Sequence, residues 1–342
     1  MVVRVVDALS GAIGGPSGGP SALGLLVERA EMLRHHGWGL WSVGTSCRLL
    51  EASDGWLAIN LARKEDLEAV PALVERPLGH DAWVTMAAGV ASMPASLVVE
   101  RAGLLGVAVT EVPSGWTADA QRRFRGDVDG PSGLQVRLGE SRGSLRSPKV
   151  VDLTALWAGP LAGWYLARAG AVVTKVESTR RPDGARSGTP AFYRRLNANK
   201  VVADLDLATR EGCDELRRLI DEADIVIEAS RPRAMEGFGI DPVDHIGGGG
   251  IWCAITGYGR AGPESNRVAF GDDAAAAGGL VTFVDSEPWF IGDAAADPIA
   301  GATAAAGILA LWHQGRAGLV DVAMRDAVAH LTGGSPVQSV AG

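Results

Sequence analysis

The clearest pattern in the chain is a run of apolar positions between residues 150 and 177. A short β-branched run at 150–153 predicts a strand, an Ala-Gly-Pro turn follows, and 161–169 predicts a helix. A glycine ends this helix and 171–176 predicts a second strand. Strand, helix and strand within about thirty residues form one βαβ unit, which implies a parallel sheet with a ligand crevice beyond its strand ends. The sequence therefore predicts an α/β protein.

The N-terminal part of the chain has a different pattern, in which short helices and strands alternate. Its apolar residues recur three and four positions apart, or follow a Ser-Asp-Gly turn. The predicted elements are helices over 22–36, 64–74 and 79–102, and strands over 56–61 and 107–112. A polar segment rich in Arg and Gly follows, and a length of 342 residues favours two domains.

Composition excludes several classes of protein. With 47% hydrophobic and 21% charged residues, the chain has the composition of a globular protein with a large core. A net charge of −8 argues against a broad nucleic-acid-binding face. The apolar runs are too short or too interrupted for a membrane span, so we expect a soluble, cytoplasmic protein. The three cysteines and six histidines have no disulfide or metal-ligand spacing, so no metal site is predicted.

The βαβ stretch also carries recognisable motifs. Asp152, Thr154 and 158–160 form a D-x-T-x-x-x-A-G-P turn, and 170–177 reads G-A-x-V-x-K-V-E. On these residues the chain resembles the family III CoA-transferases, which include formyl-CoA transferase, carnitine-CoA transferase and α-methylacyl-CoA racemase. Further similar segments follow in order: NANK at 197–200, EADIVIEASRP at 222–232, ITGYGRAGP at 255–263, IGD at 291–293 and VDVAMRDA at 320–327. The resemblance covers roughly 148–330 and implies a Rossmann-like CoA-binding domain.

The N-terminal part is similar to the small domain of the same family. Residues 47–74 resemble a D-G-W-L strand with its following helix, and 104–112 resemble the closing strand of that domain. In the family the small domain follows the first part of the large domain, whereas here it comes first. We therefore predict a small α+β domain over 1–116, a linker over 117–148 and a large Rossmann-like domain over 149–342. The resemblance implies a homodimer, or a hetero-oligomer with a related chain.

Cations needed for the CoA phosphates are concentrated locally after the second strand of the βαβ unit. Guanidinium groups suit phosphates because they donate two parallel hydrogen bonds. A solvated basic loop is the alternative explanation. With the resemblance, the predicted CoA-binding residues are Ala158, Arg180, Arg186, Lys200, Leu205 and Arg231. The family's E-N-F-x-P-G loop is altered here, because Ala229 and Ser230 replace its amide and aromatic residues.

The residue predicted to carry the chemistry is Asp293. It matches the aspartate in the family's G-D-x-x-x-G element, and the resemblance implies that this aspartate is the nucleophile. The implied course is an acyl-aspartyl anhydride, an aspartyl-CoA thioester, and transfer to a carboxylic acid acceptor. Gly292 would let the substrate approach closely. The alternative is that Asp293 is an N-cap residue, since it precedes the helix predicted over 298–313.

Asp272 and Asp273 are possible alternative carboxylates. Neighbouring carboxylates shift each other's pKa, but Asp272 would serve equally as the N-cap of a helix over 274–277. The racemase branch of the family has a Gly-His-Asp motif in this region, and Gly271 stands here where its histidine would lie.

Three functions therefore stay open. The leading one is an acyl-CoA:carboxylate CoA-transferase that acts on an acyl-CoA and a carboxylic acid. It would hold no permanently bound cofactor, because CoA enters as part of the substrate. The others are an acyl-CoA racemase or isomerase, and a non-catalytic CoA-binding paralogue or subunit.

Overall fold

The computed structural model describes residues 22–34, 39–113, 133–141, 143, 146–230 and 232–332. The first half of the described chain contains α1 (Ala22–Leu33), β1 (Cys47–Glu51), β2 (Trp56–Asn60), α2 (Lys64–Val74), α3 (Ala82–Val90), α4 (Ala95–Leu105), β3 (Ala108–Val112), β4 (Leu134–Ser141), β5 (Lys149–Asp152), α5 (Ala158–Arg168), β6 (Val172–Ser178), α6 (Ala185–Gly188) and α7 (Pro190–Leu196). The second half contains β7 (Val201–Leu205), α8 (Arg210–Asp221), β8 (Ile225–Glu228), α9 (Pro232–Gly237), α10 (Pro242–Gly247), β9 (Ile251–Thr256), α11 (Gly271–Ala277), β10 (Val281–Val284), β11 (Glu287–Phe290), α12 (Ala296–His313), β12 (Arg316–Ala323) and α13 (Met324–Thr332). None of the described helices is both long and apolar enough to cross a membrane.

The chain forms two compact units, each assembled from separate segments. The large-sheet unit comprises the described residues of Met1–Leu25, Leu134–Ser265 and Asp297–Ala323. The small-sheet unit comprises those of Leu26–Gly133, Asn266–Ala296 and Met324–Gly342.

The large-sheet unit is built on a seven-stranded sheet with the order β4-β12-β9-β8-β5-β6-β7. Its strands are parallel except β4, which pairs antiparallel with β12. From β5 the chain moves outward to β6 and β7, then returns to β8 on the other side of β5. The strand order therefore reverses between β5 and β8, and a ligand crevice is expected outside the carboxyl ends of these strands.

The predicted βαβ unit is confirmed as β5, α5 and β6. Its strands are apolar along most of their length because helices cover both faces of a parallel sheet. Val150, Ile225 and Trp252, from three neighbouring strands, are almost completely buried. The helix begins at Ala158, earlier than predicted, so Pro160 is its third residue; the missing N–H still costs nothing there, because first-turn amides have no partner inside the helix.

The small-sheet unit contains an antiparallel sheet of β1, β2 and β3 and the hairpin β10-β11. Helices α2, α3 and α4 pack on the sheet around a core that includes Leu57, Ile59, Leu73, Met86 and Val98. Helix α2 has the predicted bounds, whereas α4 continues beyond the predicted end and stops before Gly106, which has a positive φ of 70°. The expected mixture of a large parallel-sheet domain and a smaller α+β domain is confirmed.

The two units differ from the predicted division at 116 and 148. Strand β4 lies inside the predicted linker, and Asn266–Ala296 groups with the small-sheet unit although it follows most of the large sheet in sequence. The first difference arises from long-range pairing: β4 is an edge strand whose only described strand partner, β12, lies far along the chain, and its side chains are mostly exposed. Such a strand has no local apolar signature.

Two helical glycines of the small-sheet unit allow a matched test of this packing. A β-carbon at Gly89 in α3 would lie 2.4 Å from Cβ of Val74, whereas one at Gly103 in α4 would meet nothing within 4 Å. We predict that Gly89→Ala lowers the free energy of unfolding by about 1 to 3 kcal/mol through overpacking. Gly103→Ala should raise it by about 0.5 to 1 kcal/mol, because alanine loses less entropy in a helix. Urea unfolding measures both, and equal effects would contradict the described packing.

Candidate functional site

The turn between β5 and α5 lies at the predicted ligand edge of the large sheet and is held by a buried ion pair. Asp152, at the end of β5, accepts hydrogen bonds from the backbone and hydroxyl of Thr154 on one oxygen and from Lys200 Nζ at 2.9 Å on the other. Burial alone would raise the pKa of Asp152, but the lysine charges and these hydrogen bonds hold it below its ordinary value. The turn is therefore anchored by a carboxylate that is ionised at neutral pH.

Lys200 was predicted to bind CoA, but its side chain is buried against the turn between β5 and α5 and is not exposed. Its side chain is fully buried and also donates to the Pro160 carbonyl at 2.8 Å and to Asn197 Oδ1 at 3.0 Å. These contacts use all three donors of the ammonium group. We therefore assign Lys200 to shaping the turn.

A second buried network holds the middle of the same turn. Lys175 donates to the Thr154 carbonyl and lies 3.6 Å from a carboxylate oxygen of Asp183. Both oxygens of Asp183 accept the backbone N–H of Leu156 at 3.1 Å. Leu156 has a φ of +67°, which is unusual for a bulky residue and needs such support. The turn is thus held in one specific conformation.

Two of the three arginines predicted to bind CoA are paired with carboxylates. Arg186 donates to both oxygens of Glu177, at 2.9 and 3.1 Å, and Arg180 Nε lies 2.8 Å from Asp206. Their side chains are 40% and 64% exposed, so phosphate can reach both guanidinium groups by sharing or replacing these partners. Leu205 is half-buried at the end of β7. The prediction for Arg231 lies outside the described residues.

Helix α12 approaches the start of α5 very closely within the large-sheet unit. A β-carbon at Gly301 would lie 2.4 Å from the carbonyl oxygen of Ala158, so only glycine allows this contact. Asp297 precedes Gly301 by one helical turn and shares its face of α12, which separates the two side-chain positions by about 6 Å. Asp297 is half-buried in the first turn of an 18-residue helix. A carboxylate is therefore positioned next to a residue predicted to bind CoA.

Asp293 has a different environment, in the small-sheet unit. Its side chain is completely buried, and Arg29 donates to both of its oxygens, with Nε at 2.7 Å from Oδ2. Helix α12 begins at Ala296, so Asp293 is not its N-cap residue. The flanking Gly292 and Ala294 have positive φ values of 77° and 44°, which makes this segment a tight turn.

Asp272 and Asp273 are the second and third residues of α11, which begins at Gly271, so Asp272 is not an N-cap residue. Asp272 accepts the backbone N–H of Ala294 at 2.8 Å, and burial raises its pKa to about 6 against the opposing charge of Arg29. Asp273 Oδ1 accepts the backbone N–H of Phe270 at 2.9 Å, and burial raises its pKa to about 8. Across the described ranges, no group of three or more His, Cys, Asp or Glu side chains is arranged to hold a metal ion.

Sequence reasoning overlooked Asp297, although a signal for it exists. In the G-D-x-x-x-G element the aspartate is followed four positions later by glycine. The residue four positions after Asp293 is Asp297, whereas the residue four positions after Asp297 is Gly301. The spacing between aspartate and glycine therefore matches Asp297, and only the preceding glycine favours Asp293.

Comparison with known proteins identifies the family. A model of CoA-transferase family III matches residues 145–342. Succinyl-CoA–D-citramalate CoA-transferase of Chloroflexus aurantiacus is 33% identical over 196 residues, which are 53% of this chain and 49% of that protein. Formyl-CoA:oxalate CoA-transferase of Escherichia coli is 32% identical over 203 residues, which are 55% of this chain and 49% of that protein.

The similarity extends to solved structures. A crystal structure of Rv3272 from Mycobacterium tuberculosis is 32% identical and superimposes with a TM-score of 0.51, covering 57% of this chain and 58% of that one. The chain spans about half the length of the curated relatives it matches. Since the family model covers more than half of the chain, the protein belongs to CoA-transferase family III.

Proposed function

We propose that the protein is an acyl-CoA:carboxylate CoA-transferase that acts through an aspartyl-CoA thioester. The observation that carries this proposal is the contact between Gly301 and Ala158, which brings the first turn of α12 against the predicted CoA-binding turn. The matched relatives named above are CoA-transferases, which supports the reaction class. The identity of the acyl group is left to experiment.

Asp297 is the better nucleophile of the two aspartates in this region. A nucleophile must come within about 3 to 3.5 Å of the thioester carbonyl, and the completely buried Asp293 has both oxygens occupied by Arg29. Asp297 is partly exposed, and the positive end of the α12 dipole favours its ionised, reactive form. Asp293 then has a structural role in holding its turn.

The proposed reaction proceeds in two exchanges. The aspartate carboxylate attacks the thioester carbonyl and expels the CoA thiolate, which leaves a mixed anhydride. The thiolate then attacks the aspartyl carbonyl, releasing the first carboxylic acid and forming the aspartyl-CoA thioester. The acceptor carboxylate reverses both steps and departs as the new acyl-CoA, while the aspartate is regenerated. No oxidant or metal is consumed.

For CoA itself, we propose contacts with Ala158 and Leu205 at the sheet edge and with Arg180 and Arg186 at the phosphates. The rigid turn supports this assignment, because a fixed backbone can bind a ligand without losing further conformational freedom. Following the family resemblance, we also propose that a second copy or a related chain completes the acceptor site. The proposed compartment is the cytoplasm.

A racemase function is disfavoured by the residues around α11. Moving a proton between two faces of a carbon requires a base on each face. Gly271 stands in place of the histidine, and the carboxylates that follow it are buried in hydrogen bonds to backbone amides.

The first prediction concerns the nucleophile. Asp297→Asn should lower transfer by about 10⁴-fold or more, since removing a nucleophile eliminates the covalent step. It should also abolish the covalent adduct seen by intact-protein mass spectrometry with succinyl-CoA or formyl-CoA as probes. Asp293→Asn should lower the free energy of unfolding by about 1 to 3 kcal/mol but keep the adduct, because it weakens only the pairing with Arg29. If Asp293→Asn is folded but forms no adduct, while Asp297→Asn does form one, then Asp293 is the nucleophile.

The second prediction concerns CoA. Arg180→Ala and Arg186→Ala should each weaken CoA binding by about 1 to 3 kcal/mol, with a smaller effect at high salt. Calorimetric titration with CoA measures this. The matched control is Arg218→Ala on α8, an exposed arginine that is likewise bound by carboxylates, Glu215 and Glu222. Equal losses in all three variants would show a general charge effect and reject the phosphate contacts.

A further inference from the structure

Asn60 and Asp273, two buried residues of the small-sheet unit, contact each other, and each has a side-chain oxygen without a hydrogen-bond partner among the described residues. Asn60 at the end of β2 donates its Nδ2 to Asp273 Oδ1 at 3.1 Å. The remaining oxygens, Asp273 Oδ2 and Asn60 Oδ1, are both buried, and neither has a hydrogen-bond partner among the described residues. Each residue is at most 1% exposed. Two unpaired acceptors at one buried contact are costly, because neither can recover its lost hydration.

One proton satisfies both atoms at once. A carboxylic acid and a primary amide are planar groups that form a ring with two hydrogen bonds, one N–H to oxygen and one O–H to oxygen. The first of these bonds is present. We propose that Asp273 is a neutral carboxylic acid in the folded protein, with its Oδ2 hydroxyl donating to Asn60 Oδ1, so that an acid–amide pair joins α11 to β2.

The charges around Asp273 agree with a neutral side chain. No cation forms an ion pair with it in the part of the chain that the structure describes. Burial, with a smaller contribution from the nearby charge of Asp272, raises the pKa of Asp273 to about 8. On the elements that pack against α11, the titratable or charged groups are Glu111 in β3 and Arg325, Asp326 and His330 in α13; Asp272 and Cys47 also lie near Asp273. Arg325 pairs with Asp326 at 2.7 Å, whereas Glu111 and His330 are exposed.

A second aspartate of the same unit provides an internal comparison. Asp66 is the third residue of α2, as Asp273 is of α11, and both accept the backbone N–H of the residue before their helix. Both are at most 1% exposed. Asp66, however, binds the guanidinium of Arg63, with Nε at 3.1 and 3.0 Å from its oxygens, whereas Asp273 meets a neutral amide. The aspartate at the same helix position therefore contacts a cation in one case and a neutral amide in the other.

The test is substitution of each aspartate by the isosteric amide in the full-length protein. In Asp273→Asn, the new NH₂ group replaces the acid O–H and donates to Asn60, so the variant should be more stable than the wild type near neutral pH. In Asp66→Asn, the charged partner of Arg63 is lost, so the variant should be less stable. Opposite signs for the same chemical change are the expected result.

The pH dependence gives a sharper form of this expectation. The native pKa of Asp273, about 8, lies above the unfolded value of about 3.9, so the folded protein holds one extra proton between these limits. The wild type therefore loses stability as pH rises through this window, by about tenfold in the unfolding constant per pH unit. Asp273→Asn has no such titrating group. The amount by which its free energy of unfolding exceeds that of the wild type should therefore grow from about pH 4 and level off above about pH 8.

Two measurements decide the proposal. Urea unfolding of the wild type and both variants across this pH range gives the sign of each change in the free energy of unfolding and its slope with pH. Infrared difference spectra of folded wild type minus Asp273→Asn at neutral pH should contain the carbonyl band of a protonated carboxyl group. An Asp273→Asn variant that is destabilised or unfolded, or a carboxylate band in place of the acid band, would overturn the proposal.

Discussion

The close contact between α12 and α5 is the constraint on which the large-sheet unit depends. A β-carbon at residue 301 would lie 2.4 Å from the Ala158 carbonyl, and one at residue 159 would lie 2.1 Å from the Thr154 hydroxyl. Glycines at both positions let the backbones of the turn and the two helices approach closely. The same contact sets Asp297 next to the predicted CoA-binding turn, so packing and the proposed chemistry share one cause.

Buried carboxylates have different kinds of partner in the two units. In the large-sheet unit, Asp152 pairs with Lys200, which holds the pKa of Asp152 below its ordinary value, and Asp183 lies near Lys175. In the small-sheet unit, Asp293 takes the guanidinium of Arg29, while Asp273 meets only neutral donors. Buried carboxylates without a cation shift toward the neutral form. Ionisation state, and hence the suitability of a carboxylate as a nucleophile, therefore follows from the partner and not from residue type.

Local patterns predicted the elements that depend on local properties. The strand that begins at Trp56, the helix at 64–74 and the βαβ unit were predictable because their apolar spacing and turn residues agree with their structure. Strand β4 and the buried role of Lys200 were not, because each is decided by residues far away in sequence. The family motifs led to Gly292 and Asp293; the proposal of Asp297 in place of Asp293 rests on the burial of Asp293 and the packing of Gly301, which the sequence does not show.

The central claim is that a specific aspartate becomes covalently attached to CoA. The most direct measurement is tandem mass spectrometry of peptides from the wild-type protein quenched during turnover with an acyl-CoA. Fragment ions between residues 293 and 297 locate the modified carboxylate. We expect the CoA adduct on Asp297, in the first turn of α12. An adduct on Asp293, Asp272 or Asp273, or steady transfer without any aspartyl adduct, would contradict it.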